Sequence, residues 1–186
     1  MYTFAEKKYM LALARRSIAN VFDRNEKLVV SDNELPSSKL KEILSCFVTL
    51  TIGGTLRGCI GHISAFQPLY LDIIDNAAAA AFEDYRFTPL TSEEFDTAQI
   101  EISVLSEPVP LMFSSPEELL HKIKPGTDGI ILERGGYSAT FLPQVWDDFT
   151  AKEEFLSALS QKAGLDAGDW KLPGTTVKTY RVEAFS

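Results

Sequence analysis

The sequence predicts an α+β fold, mainly antiparallel sheet flanked by helices. Three observations predict it. Two pairs of apolar runs fold back about glycine turns, at Gly53-Gly54 and at Arg134-Gly135-Gly136, and hairpins make antiparallel ladders. Stretches with helical spacing fall between and around those hairpins. No linker, repeat or low-complexity segment interrupts the chain, so its 186 residues read as a single domain over 1–186.

The elements follow in order. Phe4 to Phe22 places Leu11, Ala14, Ile18 and Phe22 at helical spacing, with charges between them, and predicts an amphipathic helix. Pro36 breaks the next stretch. Phe47 to Ile52 is rich in β-branched residues and predicts a strand; Thr55 to Ile60 returns as its partner. Pro68 sits where a helix can begin, and the alanine-rich run from Leu71 to Phe82 is a strong helix former able to lie close to a sheet. Thr91 to Phe95 reads as a short capped turn of helix. Ile100, Ile102 and Val104 share one face of a strand, with Glu101 and Ser103 on the other. Ser115-Pro116-Glu117-Glu118 opens a helix that Pro125-Gly126 ends. Gly129 to Glu133 and Tyr137 to Leu142 form the second hairpin. Pro143 to Trp146 turns, Lys152 to Ala163 is helical up to Gly164, and Thr176 to Ala184 forms one last strand.

Composition excludes several classes of function. A net charge of −8 argues against wrapping a nucleic-acid backbone, so nucleic acid is not an expected partner. No apolar run reaches the ~20 residues of a membrane-spanning helix, and the first residues lack the pattern of a signal peptide. Two cysteines, Cys46 and Cys59, make no disulfide framework, which fits a cytoplasmic location. With two histidines they lack the spacing of a metal site, and no cofactor motif is present; the glycine pairs are not followed by the Lys-Ser/Thr of a phosphate loop.

The chemistry concentrates at Leu56-Arg57-Gly58-Cys59-Ile60-Gly61. Glycine permits sharp turns and close approach. An arginine beside a thiol favours the thiolate, and in a regular strand Arg57 and Cys59 would point to the same face. The plainer reading makes Cys59 a small buried hydrophobe. Cys46 has no such neighbours and reads as core. His62 reads as a loop-lining residue, although Cys/His pairs can form a nucleophile; His121 is given no role. Asp84 and Arg86 bracket a helix end, either as a cap with an ion pair or as groups beside the Cys59 loop. Asn76, polar on an alanine helix, must find hydrogen bonds if buried and would brace the same loop.

Leu56-Arg57-Gly58-Cys59-Ile60-Gly61 resembles the hallmark of the AMMECR-one domain family. Asn76-Ala77, Ala79-Ala80-Ala81-Phe82 and Asp84-Tyr85-Arg86-Phe87-Thr88-Pro89-Leu90 resemble its second block, and Glu101-Ile102-Ser103-Val104-Leu105 its third. Gly126-Thr127-Asp128-Gly129, Phe141-Leu142-Pro143-Gln144-Val145-Trp146 and Lys152-Glu153-Glu154-Phe155-Leu156 resemble its C-terminal half. The chain is most similar to the branch called AmmeMemoRadiSam system protein A. The resemblance implies two intimately packed lobes with a cleft between them. It implies no settled activity, but a pathway shared with Memo-like and radical SAM proteins.

Residues and resemblance together give two expectations. In the first, the protein is an enzyme or enzyme subunit acting on a small molecule or modified group. Cys59 is then the nucleophile or redox thiol. Asp84 or Glu101 moves a proton, and Arg57, Gly58, Gly61, Asn76 and Arg86 hold the ligand. In the second, the same loop is a docking surface of a scaffold for the Memo-like and radical SAM proteins. An RNA-binding module is the weakest of the alternatives.

Overall fold

The computed structural model describes residues 1–186. In chain order the elements are α1 (Phe4–Arg24), β1 (Ser45–Ile52), β2 (Thr55–Gly61), α2 (Leu69–Phe82), α3 (Ser92–Thr97), β3 (Gln99–Leu105), β4 (Val109–Pro110), α4 (Pro116–Lys122), β5 (Gly129–Arg134), β6 (Tyr137–Phe141), α5 (Lys152–Lys162), β7 (Thr176–Tyr180) and β8 (Val182–Phe185). They form an α+β fold with two four-stranded sheets, ordered β2-β1-β3-β8 and β4-β7-β5-β6. The chain divides into two compact units, Met1–Leu105 with Glu183–Ser186, and Ser106–Val182.

In the first unit, α1 starts at a capping box. Thr3 accepts the Glu6 amide, and the Glu6 carboxylate accepts the Thr3 amide at 2.7 Å. Met10, Leu13, Ala14 and Ile18 form its buried face, packed with Ile73, Ile74, Ala77 and Ala80 of α2. Beneath the helices lie Cys46, Val48 and Leu50 of β1 and Ile100, Ile102 and Val104 of β3. Full burial of an aliphatic side chain of this size contributes about 1.5–3 kcal/mol.

The β1–β2 hairpin turns through Gly53 and Gly54, both at positive φ (57° and 78°) as a tight two-residue connection requires. A regular ladder from that turn would set Arg57 opposite Leu50 and Cys59 opposite Val48, both facing the helices. The observed register differs. Ile52 pairs with Thr55 and Thr51 with Leu56, but Leu50 pairs with Gly58, Thr49 with Cys59 and Val48 with Ile60. Arg57 is the extra residue of a β-bulge. A shift of one residue exchanges the two faces of a strand. The bulge keeps a guanidinium out of the core, where an unpaired charge is prohibitive. It places Ile60 in the core instead and brings Gly58 under α2. A Cβ at Gly58 would collide with the Ala80 carbonyl oxygen.

In the second unit, Phe155 of α5 stacks on Trp146, with ring centroids 3.5 Å apart, above a core of Ile130, Leu132, Leu156, Leu159 and Val177. A Cβ at Gly129 would strike the Tyr180 ring, whose hydroxyl meets Thr140 Oγ1 at 2.9 Å. Burial pushes that phenol up to about 12.

The expected single strand Thr176 to Ala184 is two strands in different sheets. Arg181 separates them. Its amide donates to Ser106 Oγ (2.9 Å), its carbonyl accepts the Ser106 amide (2.9 Å), and its guanidinium meets Asp128 at 3.2 Å. Residues so engaged cannot continue a ladder. The two-residue edge strand β4, which carries Pro110, has no periodicity to announce it.

Gly58→Ala should lower stability in denaturant unfolding by about 3 kcal/mol, because the Ala80 carbonyl is backbone and cannot swing aside. Gly168→Ala, at a position with open space and negative φ, should change it by less than about 0.5 kcal/mol.

Candidate functional site

The bulge sets a polar row across the first sheet. Residues paired in an antiparallel ladder share a face, so Cys59, Thr49 and Glu101 line up across β2, β1 and β3 on the side away from α1 and α2. Two strand spacings separate the outer members by about 9–10 Å at the backbone. Cys59 is partly exposed, and the Thr49 hydroxyl lies 3.3 Å from its sulfur. Glu101 is exposed, with a carboxylate that no cation pairs. The next row is Gly61, Phe47 and Ser103, and the Phe47 ring occupies the space over Gly61 that a Cβ would need.

β2 is an edge strand, and the outward backbone groups of Cys59 would be unpaired without a cover. Asp84 and Arg86 supply it. Asp84 Oδ2 accepts the Cys59 amide at 2.9 Å, and Arg86 Nη2 donates to the Cys59 carbonyl at 3.1 Å. The two side chains also grip each other, Nε to Oδ1 at 2.9 Å and Nη2 to Oδ2 at 2.6 Å. They thus hydrogen-bond as a neighbouring strand would. Cys59 and Thr49 then form a non-hydrogen-bonded pair, in which side chains approach closest. Asp84 is buried, while the Arg86 side chain is 43% exposed. Hydrogen bonds from Arg86, outweighing the opposing effect of burial, hold the Asp84 carboxyl far below the usual carboxylate range. A permanent anion is a poor proton carrier near neutrality. Asp84, an anion bound to the Cys59 amide, holds the backbone of that residue, while Glu101 on the same face of the sheet is exposed and unpaired.

Arg57 does not flank the thiol as a regular strand would have it. Its guanidinium is bound in a fork by Glu94, at 2.9 and 2.8 Å, and this holds Glu94 down to about 2. Arg86 takes the place expected of Arg57, and its Nη1 makes no hydrogen bond and remains available to an anion. The ring of Phe87 lies between the two guanidiniums, 5.9 Å from Arg57 Cζ and 5.5 Å from Arg86 Cζ. Gly58 and Gly61 serve packing: one faces α2, and the other is covered by Phe47.

Asn76 is buried as expected but braces a different place. Its amide donates to the Cys46 carbonyl (3.1 Å) and to Asp72 Oδ2 (2.9 Å), on the helix side of the sheet. His62 is there too, with Nδ1 2.7 Å from Asp72 Oδ1, so it does not pair with Cys59. Cys46 is core, and burial pushes its thiol well up. Sequence reasoning passed over Thr49, Glu94 and Asp72. The signal for Asp72 was present: with Asn76 it makes an i, i+4 polar pair on the buried face of an apolar helix.

Asp84 binds its proton more weakly folded than unfolded. Its stabilising contribution is therefore complete above the ordinary aspartate range near 3.9 and is lost as pH falls through the depressed folded value. Asp84→Asn should cost about 2 kcal/mol at neutral pH, and its deficit against the parent should shrink below about pH 4, as read by urea unfolding across pH.

The AMMECR1 family profile matches residues 11–185. A protein of Thermofilum pendens is 39% identical over 194 residues, spanning 96% of this chain and 87% of its own length. Protein MJ0810 of Methanocaldococcus jannaschii is 37% identical over 191 residues, with 99% and 90% covered. The crystal structure of the uncharacterized protein PH0010 from Pyrococcus horikoshii superposes with a TM-score of 0.84 at 35% identity, covering 97% of this chain and 90% of that one. The match runs through both sheets, and the chain belongs to the AMMECR1 family.

Proposed function

We propose that Cys59 is the working thiol of a site on the open face of the first sheet, acting on a small molecule or modified group that carries an anion. One observation carries this reading: Asp84 and Arg86 immobilise both backbone polar groups of Cys59, while its sulfur stays partly exposed beside Thr49. A core cysteine needs no such device. The Thr49 hydroxyl donates to the sulfur and fixes its direction on the open face. The sulfur bonds to an electrophilic carbon of the ligand as the group it displaces departs with the bonding electron pair, and the thiol proton passes to solvent or, through water, to Glu101. Arg86 Nη1 meets the anionic group. The protein does this in the cytoplasm, in a pathway with Memo-like and radical SAM proteins.

The scaffold reading has its own support in Tyr85. It lies between the two clamp residues and is 94% exposed, and Leu56, on the β1–β2 hairpin, is 41% exposed. Exposed aromatic side chains favour protein docking.

Iodoacetamide followed by mass spectrometry should alkylate Cys59 in the folded protein and Cys46 only after denaturation. Arg86→Gln should slow the Cys59 reaction severalfold. Cys59→Ser should abolish function of the pathway in cells while shifting the melting temperature by less than about 2 °C. An inert Cys59, together with loss of partner capture on Tyr85→Ala, would replace the enzyme reading with the scaffold.

A further inference from the structure

On the opposite side of the first sheet a second group of side chains is built around Asp72. This residue is buried in the first turns of α2, and each of its oxygens accepts two hydrogen bonds. Oδ2 takes the Cys46 amide (2.8 Å) and the Asn76 side-chain amide (2.9 Å). Oδ1 takes the Gln67 side-chain amide (3.2 Å) and His62 Nδ1 (2.7 Å). The Asn76 side-chain nitrogen also lies 3.4 Å from Nδ1, but the much shorter contact with a carboxylate that accepts from Gln67 and Asn76 as well places the hydrogen of the neutral ring on Nδ1. The basic lone pair is then on Nε2. That nitrogen makes no hydrogen bond within the protein and is not among the buried unpartnered atoms, and the side chain is 38% exposed.

The ring cannot swing freely. Phe66 packs edge-on against it, centroids 4.7 Å apart, and the His62 amide is tied to the Cys46 carbonyl at 3.2 Å. Gln67 is fixed from its far side by Asp75, which Lys27 pairs at 2.6 Å. A histidine serving only as filler needs neither a buried carboxylate saturated by four donors nor one nitrogen left open. A carboxylate-oriented imidazole is the arrangement by which a histidine takes a proton from an attacking nucleophile.

We propose that His62 and Asp72 form a second reactive centre, distinct from Cys59, whose His62 Nε2 takes the proton of a water molecule attacking a small acyl ester. In that step the water oxygen bonds to the acyl carbon as its proton passes to Nε2. The ester C–O bond then breaks, the leaving oxygen departs with the electron pair, and the proton returns from Nε2 to it or to solvent. Asp72 holds the ring in place through Nδ1 and stabilises the transient imidazolium. His62 is the catalytic residue, and Asp72 and Gln67 are positioning residues.

The test uses para-nitrophenyl acetate in a Cys59→Ser background, which removes the thiol as a competing nucleophile and makes the result independent of the Cys59 reading. His62→Gln should lower the protein-dependent hydrolysis rate at least tenfold, and His121→Gln, which alters the one other histidine, should leave it unchanged. Nitrogen-15 spectra of the parent protein should show His62 in the Nδ1–H form. An unchanged rate in His62→Gln overturns the proposal, as does a His62 ring protonated on Nε2 alone. If His62→Gln does not fold, diethyl pyrocarbonate modification of His62 in the folded protein, followed by mass spectrometry, takes its place: hydrolysis lost in step with modification supports the proposal, and hydrolysis retained overturns it.

Discussion

One extra residue in one strand decides which face of the sheet Cys59 occupies. Without the bulge at Arg57, the two-residue turn at Gly53-Gly54 would send the Cys59 thiol into the layer between sheet and helices and drag a guanidinium with it. With the bulge, Ile60 takes the core position, Gly58 lets α2 settle onto the strand, and the sulfur emerges beside Thr49. The energy difference is set by large terms: a buried unpaired arginine on one side, a filled apolar position on the other. The forked contact from Glu94 then gives the displaced guanidinium a partner.

The Asp84–Arg86 pair depends on the same shift. Only a strand in this register turns the amide and carbonyl of Cys59 outward together, and only then can one carboxylate and one guanidinium cover both. The pair thus closes an edge and fixes the cysteine backbone at once. The opposite end of the hairpin is held by a different device, in which Asp72 gathers the start of β1, the end of β2 and α2 around one buried carboxylate. Cys59 and His62, three residues apart, are in this way separated by the sheet itself.

Much of this was legible in the sequence. The glycine turns, the alanine helix and the capped helix starts have local causes, and they form where those causes lie. Cys59, Glu101, Asp84 and Arg86 were legible as neighbours because residue type and family resemblance agree on them. The bulge was not, because alternation counts residues and gives no sign of an unpaired one; the mismatch of Arg57 with a core position was its one trace. The same counting put Arg57 beside the thiol, whereas for Asn76 the need of a buried amide for partners was legible but not which partners it finds. The break at Arg181 depends on Ser106, 75 residues away, and no local pattern encodes such a contact.

The register itself is the most direct thing to measure. In a non-hydrogen-bonded antiparallel pair the two α-carbons lie about 4.5 Å apart, close enough for a strong cross-strand signal between α-protons. Nuclear Overhauser spectra should connect the α-protons of Thr49 and Cys59. A cross-peak joining the α-protons of Thr49 and Gly58 in its place would mean a regular hairpin with the sulfur facing the helices, and would contradict the bulge on which the Cys59 site depends.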